Sequence, residues 1–185
     1  MRIRIVTAAA AFALTAGAAL PAHAQLGAFG IAAGASIPTG DFADQSETGF
    51  HVSLLLGAQP PLLPIGFRVE GSYHQFAGKE GVTIPGLGTT DVPDLRLLNL
   101  TGNVIFQPSG ILPARPYVIG GIGLYNTKFD VDNIDSDNDF GWNVGVGGKF
   151  SLTGFAAFAE VRYHRVSSGG GESTAFIPVT FGLMF

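Results

Sequence analysis

Eight stretches of the chain place large apolar side chains at every second position and small or polar ones between them, the pattern of strands whose two faces meet different surroundings. The sharpest is 65–76, where Phe67, Val69, Gly71 and Tyr73 share one face and Arg68, Glu70, Ser72 and His74 the other. In 49–58, Phe50, Val52, Leu54 and Leu56 oppose His51, Ser53 and Leu55; in 95–107, Leu98, Leu100, Val104 and Phe106 oppose Asn99, Thr101, Asn103 and Gln107. In 140–150, Phe140, Trp142, Val144, Val146 and Phe150 face away from Asn143, Gly145, Gly147 and Lys149. The stretch 155–166 sets Ala159, Val161 and Tyr163 against Glu160, Arg162 and His164. The stretch 175–185 sets Ile177, Val179, Phe181, Leu183 and Phe185 against Phe176, Pro178, Thr180, Gly182 and Met184. Glycine-rich strands at 26–36 and 116–129 complete the set.

The connections are of two kinds. Those at 59–64, 108–115 and 151–154 are Pro- or Gly-bearing turns, while the others are longer and acidic. Every acid except Glu70 and Glu160 falls in the second kind: Asp41, Asp44 and Glu47; Glu80, Asp91 and Asp94; Asp130, Asp132, Asp135, Asp137 and Asp139; and Glu172. An even number of strands, with long loops at one end and short turns at the other, predicts an all-β, eight-stranded antiparallel up-and-down transmembrane β-barrel. Strands of about 10 residues tilted by about 45° suffice to cross a bilayer. The acidic loops then face the outside, and both termini sit at the periplasmic end. Within this scheme the turn signal Pro38-Thr39-Gly40-Asp41 ends the first strand, and Pro178, which has no N–H to give a ladder, predicts a local bulge in the last. Tyr73, Tyr125, Trp142 and Tyr163 are expected in the aromatic girdles at the membrane surfaces.

The N-terminus adds a compartment. Arg2 and Arg4 precede an apolar run over 5–20 and an Ala22-His23-Ala24 cleavage site, so 1–24 reads as a secretory signal peptide and 25–185 as the outer-membrane barrel domain. Beyond it no apolar run approaches the roughly 20 residues of a membrane helix. The chain has no cysteine, which leaves barrel closure as the means of holding a small exported protein together. A net charge of −4 with no basic cluster argues against nucleic acid as a partner.

Several segments resemble the small outer-membrane β-barrel proteins of Gram-negative bacteria, the OmpA/OmpX-type group and its outer membrane protein beta-barrel domain relatives. They are R-P-Y-V-I-G-G-I-G-L-Y at 115–125, G-W-N-V-G-V-G-G-K-F at 141–150, F-A-E-V-R-Y-H at 158–164 and I-P-V-T-F-G-L-M-F at 177–185. The resemblance implies residence in the bacterial outer membrane, contact with its lipid, and a closing strand whose Phe181 and Phe185 are the signal read by the barrel-assembly machinery. It implies little about biochemical activity.

The polar faces supply the candidate chemistry. Arg68, Glu70, His74, Asn99, Thr101, Asn103, Asn143, Lys149, Glu160, Arg162, His164 and Thr180 point inward, and an eight-stranded barrel is just wide enough for its own side chains to fill. Charges removed from water need partners, so Arg68, Lys149 and Arg162 are expected to pair with Glu70 and Glu160. Arg68, Glu70, Lys149, Glu160, Arg162 and His164 are accordingly the expected lumen charge network, a polar plug. The alternative is a small gated porin or channel for small solutes or hydrophobic compounds, which needs a network able to switch partners.

A lipid A-modifying hydrolase, suggested by the resemblance, would draw on His164 with Ser167 or Ser168. Three-residue spacing on a strand sends His164 and Ser167 to opposite faces, and the His-x-Ser arrangement of the deacylases is absent, so no catalytic residue is assigned. Asp135-x-Asp137-x-Asp139 begins like a calcium loop, but Phe140 and Val146 stand where glycine and glutamate are needed. The expectation is a solvated acidic loop with no metal and no cofactor. A soluble ligand-binding barrel would have the faces reversed.

Overall fold

The computed structural model describes residues 26–60, 63–79, 82–84, 88–90, 93–108, 114–129, 137–167 and 173–185. The signal peptide and its cleavage site, most of the acidic loop at 130–136, Glu80, Asp91, Ser168 and Glu172 lie outside them. In chain order the elements are β1 (Leu26–Thr39), a one-turn helix α1 (Asp41–Gln45), β2 (Gly49–Ala58), β3 (Ile65–Phe76), a small hairpin of β4 (Val82–Ile84) and β5 (Gly88–Thr90), then β6 (Leu95–Phe106), β7 (Ala114–Phe129), β8 (Asp137–Leu152), β9 (Phe155–Ser167) and β10 (Ser173–Met184). The eight long strands close into a ring in the order β1, β10, β9, β8, β7, β6, β3, β2, each antiparallel to both neighbours. The last strand meets the first through Gly30↔Met184 to Thr39↔Ala175. Closure leaves none of the eight barrel strands with an unpaired edge, which is how an all-β sheet satisfies its backbone where water is absent.

The two faces separate as the alternation demands. Leu54 and Leu56 are each 61% exposed, Val146 59% and Phe181 65%, whereas Arg68, Glu70, Glu160 and Arg162 are buried. An apolar belt surrounds a charged interior, the reverse of a water-soluble domain. Among the described residues no helix is long and apolar enough to cross a membrane.

Glycines on the inner faces of β7 and β8 let bulky neighbours sweep across the sheet. A Cβ on Gly145 would collide with the Val161 carbonyl and the Arg162 side chain, one on Gly147 with the Tyr117 ring, and one on Gly141 with Tyr125.

The structure departs from the sequence reading in several places, among them the hairpin β4–β5 in the connection 77–94, which reads as a loop. β1 continues through Pro38, which still pairs with Phe176 of β10; the ladder to β2 ends at Ser36↔Gly49, so the missing N–H falls where no rung is needed. The turn falls within the expected signal, at Gly40 with φ 61°, and leads into α1 where a loop was expected. β8 begins at Asp137, so Asp137 and Asp139 stand in a strand opposite Thr127 and Tyr125. Pro178 makes no bulge. Its pairing to β1 is unbroken, and toward β9 the rungs at Ile177 and Pro178 are lost while the register before and after them stays the same. A missing donor removes a hydrogen bond without adding a residue to the strand.

At the loop end the first two connections are tied together. The Glu47 amide donates to the Ala77 carbonyl at 2.8 Å and the Lys79 amide to the Gln45 carbonyl at 3.0 Å. Lys79 Nζ donates to the Ala43 carbonyl at 2.6 Å. These bonds hold α1 over the barrel mouth.

Candidate functional site

The interior is layered. At mid-height β3 presents Arg68 and Glu70, and β9 presents Glu160 and Arg162. These strands are four places apart in either direction round the ring, so they form opposite walls. Both run from the termini end toward the loop end, and their charge orders are inverted, so each charge meets its opposite across the lumen. Arg68 Nη2 donates to Glu160 Oε2 at 2.7 Å and Oε1 at 2.8 Å. Arg162 Nη2 donates to Glu70 Oε1 at 2.5 Å, and its Nε lies 2.5 Å from Glu160 Oε1. Arg68 Nε stands 3.4 Å from Glu70 Oε2, which makes the four charges one network. Tyr117 donates to Glu160 Oε2 at 2.6 Å, and Ser72 to Glu70 Oε1 at 3.0 Å. A buried carboxylate needs such donors, and Glu160 accepts three hydrogen bonds, two from Arg68 and one from Tyr117.

Above this layer lies a chain of neutral hydrogen bonds. Asn99 Nδ2 is 3.1 Å from His74 Nε2, His74 Nδ1 is 2.8 Å from Ser36 Oγ, Ser36 Oγ is 3.0 Å from His51 Nδ1, and His51 Nε2 is 3.0 Å from Thr180 Oγ1. One direction satisfies every link: Asn99 donates to His74, His74 to Ser36, Ser36 to His51 and His51 to Thr180. His164 joins from β9, its Nδ1 2.9 Å from the Tyr125 hydroxyl.

The loop end is closed by apolar side chains. Phe76, Leu95, Leu97, Tyr125, Val166 and Phe176 form a buried cluster, with Phe42 of α1 packed against it. Phe42 meets Phe76 edge-on at 5.0 Å and Phe76 meets Phe176 at 5.6 Å, while Phe176 stacks on His164 at 4.9 Å. Such contacts add about 0.5–1.5 kcal/mol per pair beyond area burial.

Of the expected network, Arg68, Glu70, Glu160 and Arg162 come together, His164 belongs to the layer above, and Lys149 stands apart near the termini end, lining a cavity. Tyr125 corrects the girdle assignment: it is fully buried inside the barrel, because it shares the inward parity of Tyr117 and Ile119. Tyr73, Trp142 and Tyr163 do face outward, with Trp142 against Tyr163 at 5.7 Å. Sequence reasoning passed over Tyr117, Ser36 and the apolar cap. Parity carries the signal for all of them, since Phe76 falls in step with His74 and Phe176 with Thr180. Phe181 and Phe185 lie on the outer face, 65% and 57% exposed. His164 and Ser167 occupy opposite faces of β9, as their spacing requires. No group of three or more His, Asp or Glu able to hold a metal occurs among the described residues.

The family model for the outer membrane protein beta-barrel domain matches residues 8–185. No curated protein matches the sequence. Among solved structures, the chain is similar to a neisserial surface protein A, at TM-score 0.65 and 16% identity over 86% of this chain and 95% of that one. It is also similar to a major outer membrane protein from Thermus thermophilus, at TM-score 0.52 and 17% identity over 87% and 99%. OprG from Pseudomonas aeruginosa aligns at TM-score 0.52 and 15% identity over 88% and 97%. These likenesses concern the fold.

Proposed function

Because the chain belongs to the outer membrane protein beta-barrel domain family, we propose that its work in the bacterial outer membrane is structural and interactional, carried out by a non-catalytic barrel with a closed lumen. The export signal at 1–24 is removed, and 25–185 inserts with its termini toward the periplasm and its acidic loops outward. The barrel-assembly machinery reads Phe181 and Phe185, whose exposure on the outer face of the closing strand supports this role. Partners of the outer surface meet the acidic loops.

The observation that carries the reading is the double obstruction of the lumen. Four charges bridge opposite walls at mid-height, and an aromatic cap anchored by Phe42 and Phe176 shuts the loop end. Planar-bilayer recording tests it directly: wild-type protein that runs as a heat-modifiable barrel is expected to be silent. Discrete conductance steps from such protein would overturn the closed-lumen reading.

One feature favours a second reading, a gated pore. Each arginine of the quartet reaches both glutamates, so two pairings exist within one cage. Under that reading Phe176→Ala combined with Arg162→Met conducts, whereas Phe176→Ala alone, which leaves the charges in place, does not. A silent double variant that still folds removes the gate.

A further inference from the structure

Below the charge layer, at the termini end, the lumen widens into a half-open cavity of about 580 Å³. That is the size of a pocket for a small organic molecule. It exists because small residues replace bulky ones there: a Cβ on Gly57 would meet only the tip of Met184 at 3.0 Å, and one on Gly66 nothing nearer than 3.4 Å. Lys149 lines this space, and its register partner on β7, Arg115, stands beside it on the same face of the sheet, exposed at the cavity rim. Like charges so placed destabilise one another. Among the described residues no side-chain carboxylate pairs with either, and the turns at this end carry no acid. Arg68, at the cavity floor, already has Glu160 as its partner. The adjoining wall is apolar: Phe158 of β9 is the register partner of Lys149, and Met184 of β10 lines the cavity beyond it.

We propose that this vestibule is a binding site for an anion with an apolar body, a carboxylate or sulfonate whose head lies between Lys149 and Arg115 and whose ring or short acyl part packs on Phe158 and Met184. The anion supplies the charge that the chain withholds, and the cavity supplies the volume. The proposal is independent of whether the lumen conducts.

Full-length protein in nanodiscs of zwitterionic lipid, titrated with naphthalene-2-sulfonate and followed by saturation-transfer NMR, tests it. Saturable binding is expected, weakened at least about tenfold by Lys149→Gln with Arg115→Gln, because both charge-assisted hydrogen bonds to the anion are lost. The uncharged naphthalene-2-sulfonamide is expected to bind as weakly to wild type, and Gly57→Leu, which fills the cavity while keeping both cations, to bind poorly. Heat-modifiable migration confirms that each variant is folded. Absence of saturable binding at about 1 mM, or binding unchanged in the double variant, would overturn the proposal. Inorganic sulfate binding as tightly as the naphthalene sulfonate would overturn its apolar half.

Discussion

The loop half and the termini half of the lumen are built from the same eight strands, with the same alternation, yet one is packed and the other hollow. In the loop half inward glycines lie beneath a neighbour's large side chain, Gly145 under Arg162 and Gly141 under Tyr125. In the termini half Gly30 and Gly182 likewise lie beneath Met184 and Phe158, but Gly57 and Gly66 border open space. The charges differ in the same way. Arg68, Glu70, Glu160 and Arg162 are balanced two against two, whereas Lys149 and Arg115 face each other with no acid between them. Barrel geometry therefore does not decide whether the interior is a plug or a vessel. Side-chain size at a few inward positions decides it, and charge balance follows the filling.

The contrast is put under most stress at Glu160. Glu160→Gln leaves Arg68 and Arg162 buried with one carboxylate between them, and a loss of about 3–5 kcal/mol is expected from urea unfolding of the barrel in lipid vesicles. A shift below about 1 kcal/mol would mean that the quartet is wetter than its burial implies. Next comes a matched pair of glycines. Gly145→Ala forces its new methyl group against the Val161 carbonyl and should cost about 1–3 kcal/mol, while Gly66→Ala, in the hollow half, should stay within about 0.5 kcal/mol. Equal effects of the two would erase the difference between the halves. Tyr117→Phe removes one donor from Glu160 at the boundary between them, and the same unfolding assay should register about 1 kcal/mol. Smallest is Lys149→Gln, expected within about 0.5 kcal/mol and on the stabilising side, because it relieves the repulsion with Arg115.

The barrel was legible in the sequence because its two faces meet lipid and a charged interior, so nearly every strand announces its inward and outward positions. Arg-x-Glu at 68–70 and Glu-x-Arg at 160–162 both read as inward. Their meeting did not follow, since it depends on β3 and β9 standing four places apart, a property of the closed ring that no local pattern states. Tyr125 and Phe176 were obscured for another reason. Apolar inward residues weaken the very contrast that identifies a face, so the cap looked like girdle or ordinary strand. Pro178 and Pro38 were over-read, because a proline disrupts a ladder only on the side where its N–H would have pointed.

The inverted charge order on opposite walls has a consequence for fidelity. Arg68 and Glu160 lie 92 residues apart on strands that share no backbone rung, as do Glu70 and Arg162. Within a single strand Arg68 reaches only Glu70 and Arg162 only Glu160, so local zipping of hairpins leaves each charge half partnered; the cross-lumen pairs form together, when β1 meets β10. A ring with one hairpin too few or too many would set these walls off the diameter and leave only the in-strand pairs in a dry interior. The quartet thus acts as a checksum on strand number, enforcing eight by making every other count expensive.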